Sequence, residues 1–282
     1  MKYQKSKWYT YCLNNPLKYT DPSGEEWRWK WKWWSLMLAE IFTGGQISIT
    51  EASIAIMGVG AQSLANGIDY TSVWFKSWSD PGKAGRQFDN SLRIDFGILN
   101  SFTGMFRYDK SAKGIEWPLQ VWNNLTGGEG LQTILGNGLA HLQNTGDHVE
   151  GVKYYEDRTI VRLKDQYFFD DRFLGISLGS YVSGENIAYG LNDKTGNINL
   201  FAHEFGHTFQ SRITGPLYLS KYGIPSGPMR SEVPEKDADI RAHQRFGFWP
   251  YELEYAPADF SDRNTIKWWE FFVWPFMPWW NY

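Results

Sequence analysis

Residues 199–211 read NLFAHEFGHTFQS, and the fold and the chemistry both start from this stretch. It holds His203-Glu204-x-x-His207. With five His and 15 Glu in 282 residues, the chance expectation for this pattern is about 0.005, so composition does not explain it. On a helix, positions i and i+4 share a face, and two imidazoles can converge on one ion. Glu204 lies about 100° around the axis, close enough to take a proton from water activated there. Leu200, Phe201, Phe205 and Phe209 supply an apolar side that docks such a helix into a core. Gly206 costs about 1 kcal/mol of helix propensity relative to Ala, which is easier to understand where another backbone approaches closely.

Two histidines leave a tetrahedral zinc ion short of a protein ligand. Downstream, SEVPEKDADIRAHQRFG (231–247) reads as a helix that begins near Pro234 and ends at Gly247. Glu235 and Asp239 share a face, and Ala238 and Ala242 beside them allow a neighbouring helix to come close. Glu235 is the expected third ligand, with Asp239 behind it accepting the free ring N–H of a ligating histidine. Asp239 itself, then Asp237, are the reserve ligands. Glu204 is the expected general base. Charge that builds on a tetrahedral oxygen needs a second donor, and Tyr218, Tyr222, Arg230, Arg241 and His243 are the candidates. His243, which continues the Glu235–Asp239 face, and Tyr218 are carried forward as catalytic candidates. Gln210, three residues after His207, is expected to orient a neighbouring loop. A hydrogen-bonded pair of buried histidines without metal, and a purely structural metal site, are the competing readings. Glu204 between the histidines speaks for catalysis, since a structural site has no use for a base.

Working outward, Val152 to Gly179 contains VKYYED, RTIVRL and LGISLG, short β-branched and aromatic runs between turns, as in an antiparallel meander. Upstream the apolar spacing is mostly helical. Glu51–Asn66 brings Ile54, Met57, Ala61, Leu64 and Ala65 near one face, with Thr50 as N-cap. Glu116–Asn124 and Glu129–Gln143 read as two further helices, the second carrying Leu131, Ile134, Leu135, Leu139 and Leu142. Helices, then a small mainly antiparallel sheet, then helices make an α+β fold. The expected division is 1–25, a mainly helical 26–146, and a catalytic 147–282.

Composition narrows the function class. Sixteen Trp, 16 Tyr and 18 Phe give ample apolar area to offset the entropy of folding, which excludes disorder. A net charge of −3 offers no electrostatic case for a nucleic-acid partner. The single cysteine, Cys12, excludes a disulfide framework and a Cys-rich zinc site. The first twenty residues hold no apolar run of signal-peptide type. The stretch Ile47–Ile68 is too broken by Glu51, Gln62, Asn66 and glycines to span a bilayer. Trp27, Trp29, Trp31 and Trp33 alternate with Arg28, Lys30 and Lys32, and the chain ends in WWEFFVWPFMPWWNY. Trp beside Lys suits a bilayer interface, so membrane contact stands as the second expectation, beside a strand and a tail that pack on the domain.

Tyr9–Glu25, YTYCLNNPLKYTDPSGE, resembles the end of the RHS/YD-repeat associated core, with its N-Y-x-Y-x-x-N-N-P-x-x-x-x-D-P-x-G pattern. That resemblance covers about 20 residues. It implies that 1–25 is the remnant of a β-shell and that the chain from about residue 26 onward is its variable C-terminal effector, often a toxin. It implies a secreted or cell-surface setting reached as part of a larger protein, with the parent shell and an immunity protein as partners. The set His203, Glu204, His207, Glu235 and Asp239 resembles the HExxH…ExxxD arrangement of gluzincin metallopeptidases. Roughly residues 117–247 further resemble metallopeptidase-like modules found at the ends of RHS proteins. These likenesses imply a zincin-like fold, a Zn2+ cofactor, and a protein or peptide substrate held along a β-edge. Residues 27–110 and 248–282 carry no resemblance. The expectation is a zinc endopeptidase acting as a toxin module. The alternative is a membrane-active module whose metal site is structural or inactive.

Overall fold

The computed structural model describes residues 49–104, 107–109, 112, 114–126, 128–164, 174–226 and 232–251. The chain divides into two compact units, Met1–Ala52 and Ser53–Tyr282. The Tyr9–Glu25 segment, the alternating tryptophans, Arg230 and the aromatic tail all lie outside the described residues.

Among the described residues the fold is α+β. Helices α1 (Ile49–Ser79), α2 (Pro81–Phe102), α3 (Glu116–Thr126) and α4 (Gly130–Thr145) come first. Strands β1 (Val149–Tyr155), β2 (Arg158–Leu163), β3 (Gly175–Leu178) and β4 (Tyr181–Glu185) come next. Then come α5 (Ile198–Thr214), a 3-10 turn (Gly215–Leu217), a π turn (Leu219–Gly223), the short α6 (Ile224–Ser226) and α7 (Glu232–Phe246). No described helix is long and apolar enough to cross a membrane.

The sheet has the order β1-β2-β4-β3. β1 with β2 and β3 with β4 are antiparallel hairpins, but β2 and β4 run parallel, with Ile160 beside Val182. The expected meander is therefore corrected to a mixed sheet. The physical reason is that the second hairpin returns through β3, which becomes an edge, so that β4 enters beside β2. The strand Tyr181–Glu185, YVSGE, is an addition to the expected elements, because its Ser and Gly dilute the β-branched signal.

β2 is buried along its whole length, as a central strand covered on both faces must be. Ile160, Val182, Ile187 and Ala188 pack against Leu200, Phe201, Phe205 and Phe209 of α5. On the opposite face Val161, Leu163, Val149, Val152 and Tyr181 meet Ile94 of α2 and Ala140 of α4. Successive residues of a strand point to opposite faces, so β2 feeds both cores. α5 runs between sheet and α7, and every residue from Leu200 to Thr214 is buried. Asn197 caps it, its Oδ1 accepting from the Leu200 amide at 3.0 Å. Its polar side chains need internal partners, and Arg212 finds them in Asp157 and Glu129.

In the helical region the expected apolar faces are only partly buried: Ala65 is inside, and Leu131, Ile134, Leu135 and Leu139 are half-buried. The structure turns Leu64 (65 % exposed) and Leu142 (51 %) outward. Inside are Gln62, Asp69, Gln87, Ser91, Asn137, His141 and Asn144. Asp69 accepts from Gln87 (2.6 Å), Ser91 (2.8 Å) and Asn144 (3.0 Å). His141 bridges Asp69 and Asp95 at 2.8 and 3.1 Å, and Gln62 donates to Asn137 at 2.8 Å. Apolar periodicity places residues on one face of a helix, but it does not say that this face is the buried one. The first helix also begins at Ile49, so Thr50 lies within it and is not its cap.

Candidate metal centre

The site is built where α5 crosses α7. At Gly206 a Cβ would stand 2.7 Å from the carbonyl carbon and 3.0 Å from the Cα of Ala238, so the two backbones meet at a glycine–alanine contact. That approach sets the two imidazoles of α5 against the carboxylates of α7.

His203 Nε2 lies 2.9 Å and His207 Nε2 3.4 Å from the same oxygen, Glu235 Oε2. One ligand atom from each of the three residues falls within 4.8 Å of the others. Zn–N and Zn–O bonds of 2.0–2.2 Å in a tetrahedron put neighbouring ligand atoms roughly 3.3 Å apart, so the donors fit a first-row divalent ion. The outer nitrogens are held as well. His203 Nδ1 pairs with Asp239 Oδ1 at 2.7 Å, and His207 Nδ1 with Gln210 Oε1 at 2.8 Å. Ser226 Oγ donates to Glu235 Oε1, which leaves Oε2 facing the histidines.

The electrostatics stem from this crowding. Burial pushes the Glu235 carboxyl up, yet the two imidazoles hold it well below the usual carboxylate range. Burial opposes a proton on His203, but hydrogen bonds to Asp239 and Glu235 raise its pKa well above the ordinary value. His207 is raised too, against burial, chiefly by the Glu235 charge. In the free protein, protons thus compete for the position a cation would take.

Glu204 is 5 % exposed, and burial raises its carboxyl despite the neighbouring imidazoles. Ser177 Oγ lies 2.7 Å from Glu204 Oε2. A Cβ at Gly175 would stand 2.7 Å from the Glu204 Cδ, so the edge strand β3 passes directly against this carboxylate.

The remaining candidates are spread around this centre. Asp239 stands behind His203, and Asp237 accepts from Arg241 Nε at 2.7 Å and from Gln210. Arg241 is fully buried and also bridges Asp109 (3.0 Å) and Glu116 (2.9 Å), so its guanidinium serves the helix packing. Tyr218 is buried, and its hydroxyl donates to the Ser177 carbonyl at 3.1 Å. Tyr222 is buried and stacks with it, ring centroids 6.2 Å apart. His243 lies one turn beyond Asp239, stacked on Trp249 at 4.1 Å, and outside the cluster of three ligands.

Three contributors carry no signal in the sequence: Ser177, Ser226 and Tyr251. The Tyr251 ring lies 5.4 Å from that of His203 and is 37 % exposed. Burial, then the charges of Glu204, Asp239 and Glu235, push its phenol up. One tyrosine in so aromatic a chain does not stand out. Comparison with protein-family models, with curated proteins and with solved structures finds no match.

Proposed function

We propose that this chain is a zinc-dependent hydrolase, most specifically an endopeptidase of zincin-like fold, acting as the toxin module of an RHS-type protein. The observation that carries the hydrolase reading is the convergence of both Nε2 atoms on Glu235 Oε2, with the Glu204 carboxylate beside them. His203, His207 and Glu235 would hold the ion. Bound there, a zinc ion supplies Lewis acidity and lowers the pKa of water to about 7.

The protein's own groups do the rest. Glu204 takes a proton from water and later delivers it to the leaving amine, and Ser177 fixes the orientation of its carboxylate. Asp239 and Gln210 hold the outer ring nitrogens. Tyr251, partly exposed against His203, suits donation to a developing oxyanion better than Tyr218, whose hydroxyl is already engaged. The β3 edge beside Glu204 fits an extended peptide, as the gluzincin resemblance implies. Secretion within a larger protein, an immunity partner and the parent shell belong to the same proposal.

Glu204→Gln tests it. The variant is expected to retain one equivalent of zinc and to lose about 10²- to 10⁴-fold in peptide-library cleavage. Undiminished cleavage overturns the hydrolytic reading.

A second reading, membrane activity with a structural metal site, is favoured by one observation. Trp74, Phe75 and Trp78 at the end of α1 are 57, 63 and 78 % exposed, and Trp and Phe suit a bilayer interface. That reading predicts liposome leakage that survives both chelator and Glu204→Gln.

A further inference from the structure

The two candidate ligand helices are joined by one uncharged side chain, Gln210. Its Nε2 lies 2.8 Å from the Pro234 carbonyl and 2.8 Å from Asp237 Oδ2. Both partners only accept hydrogen bonds, so both must be served by the amide NH2. The amide orientation is thereby fixed, and Oε1 is the atom that faces His207 Nδ1 at 2.8 Å. An amide oxygen only accepts. His207 must therefore carry a proton on Nδ1, which makes Nε2, the nitrogen that faces Glu235 Oε2, the one left to bind an ion.

The same amide grips α7 at Pro234, the residue before Glu235, and at Asp237, two residues after it. Asp237 is held in turn by Arg241, which is anchored on Asp109 and on Glu116 of α3. Gln210 is fully buried, where a misdirected amide is costly.

We propose that Gln210 is a positioning residue that sets the tautomer of His207 and, with the same side chain, the register of Glu235, so that the two ligands are preorganised together. The inference rests on the metal-centre reading and adds to it the device that couples α5 to α7. Asp239 holds His203 alone. Gln210 holds one ligand and the backbone that carries another.

The test uses the full chain as wild type, Gln210→Leu, Gln210→Glu and Asn123→Ala. Leu removes both functions of the amide. Glu keeps an acceptor for His207 Nδ1 but sets carboxylate oxygens against the Pro234 carbonyl and Asp237. Asn123 is a buried amide that serves the Arg212 and Ile213 carbonyls at 3.3 and 2.6 Å, and it controls for general destabilisation. Zinc affinity is read by chelator competition, ligand geometry by the electronic spectrum of the cobalt-substituted protein, and stability by urea unfolding in chelator.

Both Gln210 variants are expected to bind zinc about 10- to 100-fold more weakly with a shifted cobalt spectrum. Asn123→Ala should lower stability and move neither. If Gln210→Leu does not fold, Gln210→Glu decides alone. Zinc affinity within twofold of wild type, or an equal loss in Asn123→Ala, overturns the role of Gln210. Failure of wild type itself to take up one equivalent overturns the metal reading beneath it.

Discussion

Gly206 of α5 faces Ala238 of α7 so closely that residue 206 has no room for a Cβ. The obstacle is backbone, which cannot swing aside as a side-chain tip can. Gly206→Ala should therefore separate the helices that carry His203, His207 and Glu235. Overpacking of this kind costs about 1–3 kcal/mol. We expect that loss in urea unfolding together with weaker zinc binding. A variant with wild-type zinc affinity would mean that the α5–α7 distance does not set the site.

Gly175 offers a perturbation of the base alone. A Cβ there would stand 2.7–2.8 Å from Glu204 Cδ and Cγ, and the nearest atoms belong to Glu204, not to the candidate ligands. Gly175→Ala should displace the carboxylate and lower turnover at least tenfold while zinc content stays at one equivalent. Loss of zinc in this variant would show that β3 supports the ligands themselves.

Metal removal should be visible in stability. Binding to the folded state alone adds about 2.7 kcal/mol at a free concentration of 100 Kd, so chelator should lower Tm and zinc should restore it. Protons compete at His203 and His207, whose pKa values are raised in the free protein. Zinc affinity should accordingly weaken as pH falls. A pH-independent affinity would exclude these imidazoles as ligands.

His141 governs a separate pH dependence. Burial disfavours its proton, but Asp69 and Asp95 raise its pKa above 6.5. A raised histidine contributes stability that is complete below the unfolded value and is lost as pH rises through the folded one. Asp69 and Asp95, lowered from 3.8 by His141 and their other partners against the cost of burial, lose their contribution as pH falls through their folded values. The cluster should therefore stabilise most between about pH 4 and 6.5. The stability difference between wild type and His141→Gln, measured with chelator present, should shrink from pH 6.5 upward. A difference that is flat to pH 9 would show that His141 is neutral in the folded protein.

Much of the site is legible in the sequence because its signal is local. Spacing alone puts His203 and His207 on one face, and the run from Pro234 to Gly247 announces α7, observed as Glu232–Phe246. Gly206 by itself points to a close backbone contact. Residues that meet the site only through folding give no warning. Ser177 arrives from an edge strand, Ser226 from a short turn, and Tyr251 from beyond α7. Gln210 sits in the motif helix, yet its expected role is a loop contact, because its partners in α7 lie 24 and 27 residues away. The parallel pairing of β2 with β4 is illegible for a similar reason. Each strand reads alike in either direction, and only the returning hairpin sets the orientation.

The seam that joins α1 to α2 and α4 is held differently from the rest. Its described hydrogen bonds join amide, carboxylate and imidazole groups, beside apolar contacts at Ala65 and between Gly58 and Leu135. Detaching α1 would bare Ala65 and the side of α4 at Leu131 and Leu135 that meets Gly58. That is less apolar surface among the described side chains than prising α5, buried from Leu200 to Thr214, from the sheet. Amide exchange should accordingly find α1 as the first helix to open, with the motif helix among the last. Among the described helices, α1 is thus the one held most by exchangeable bonds.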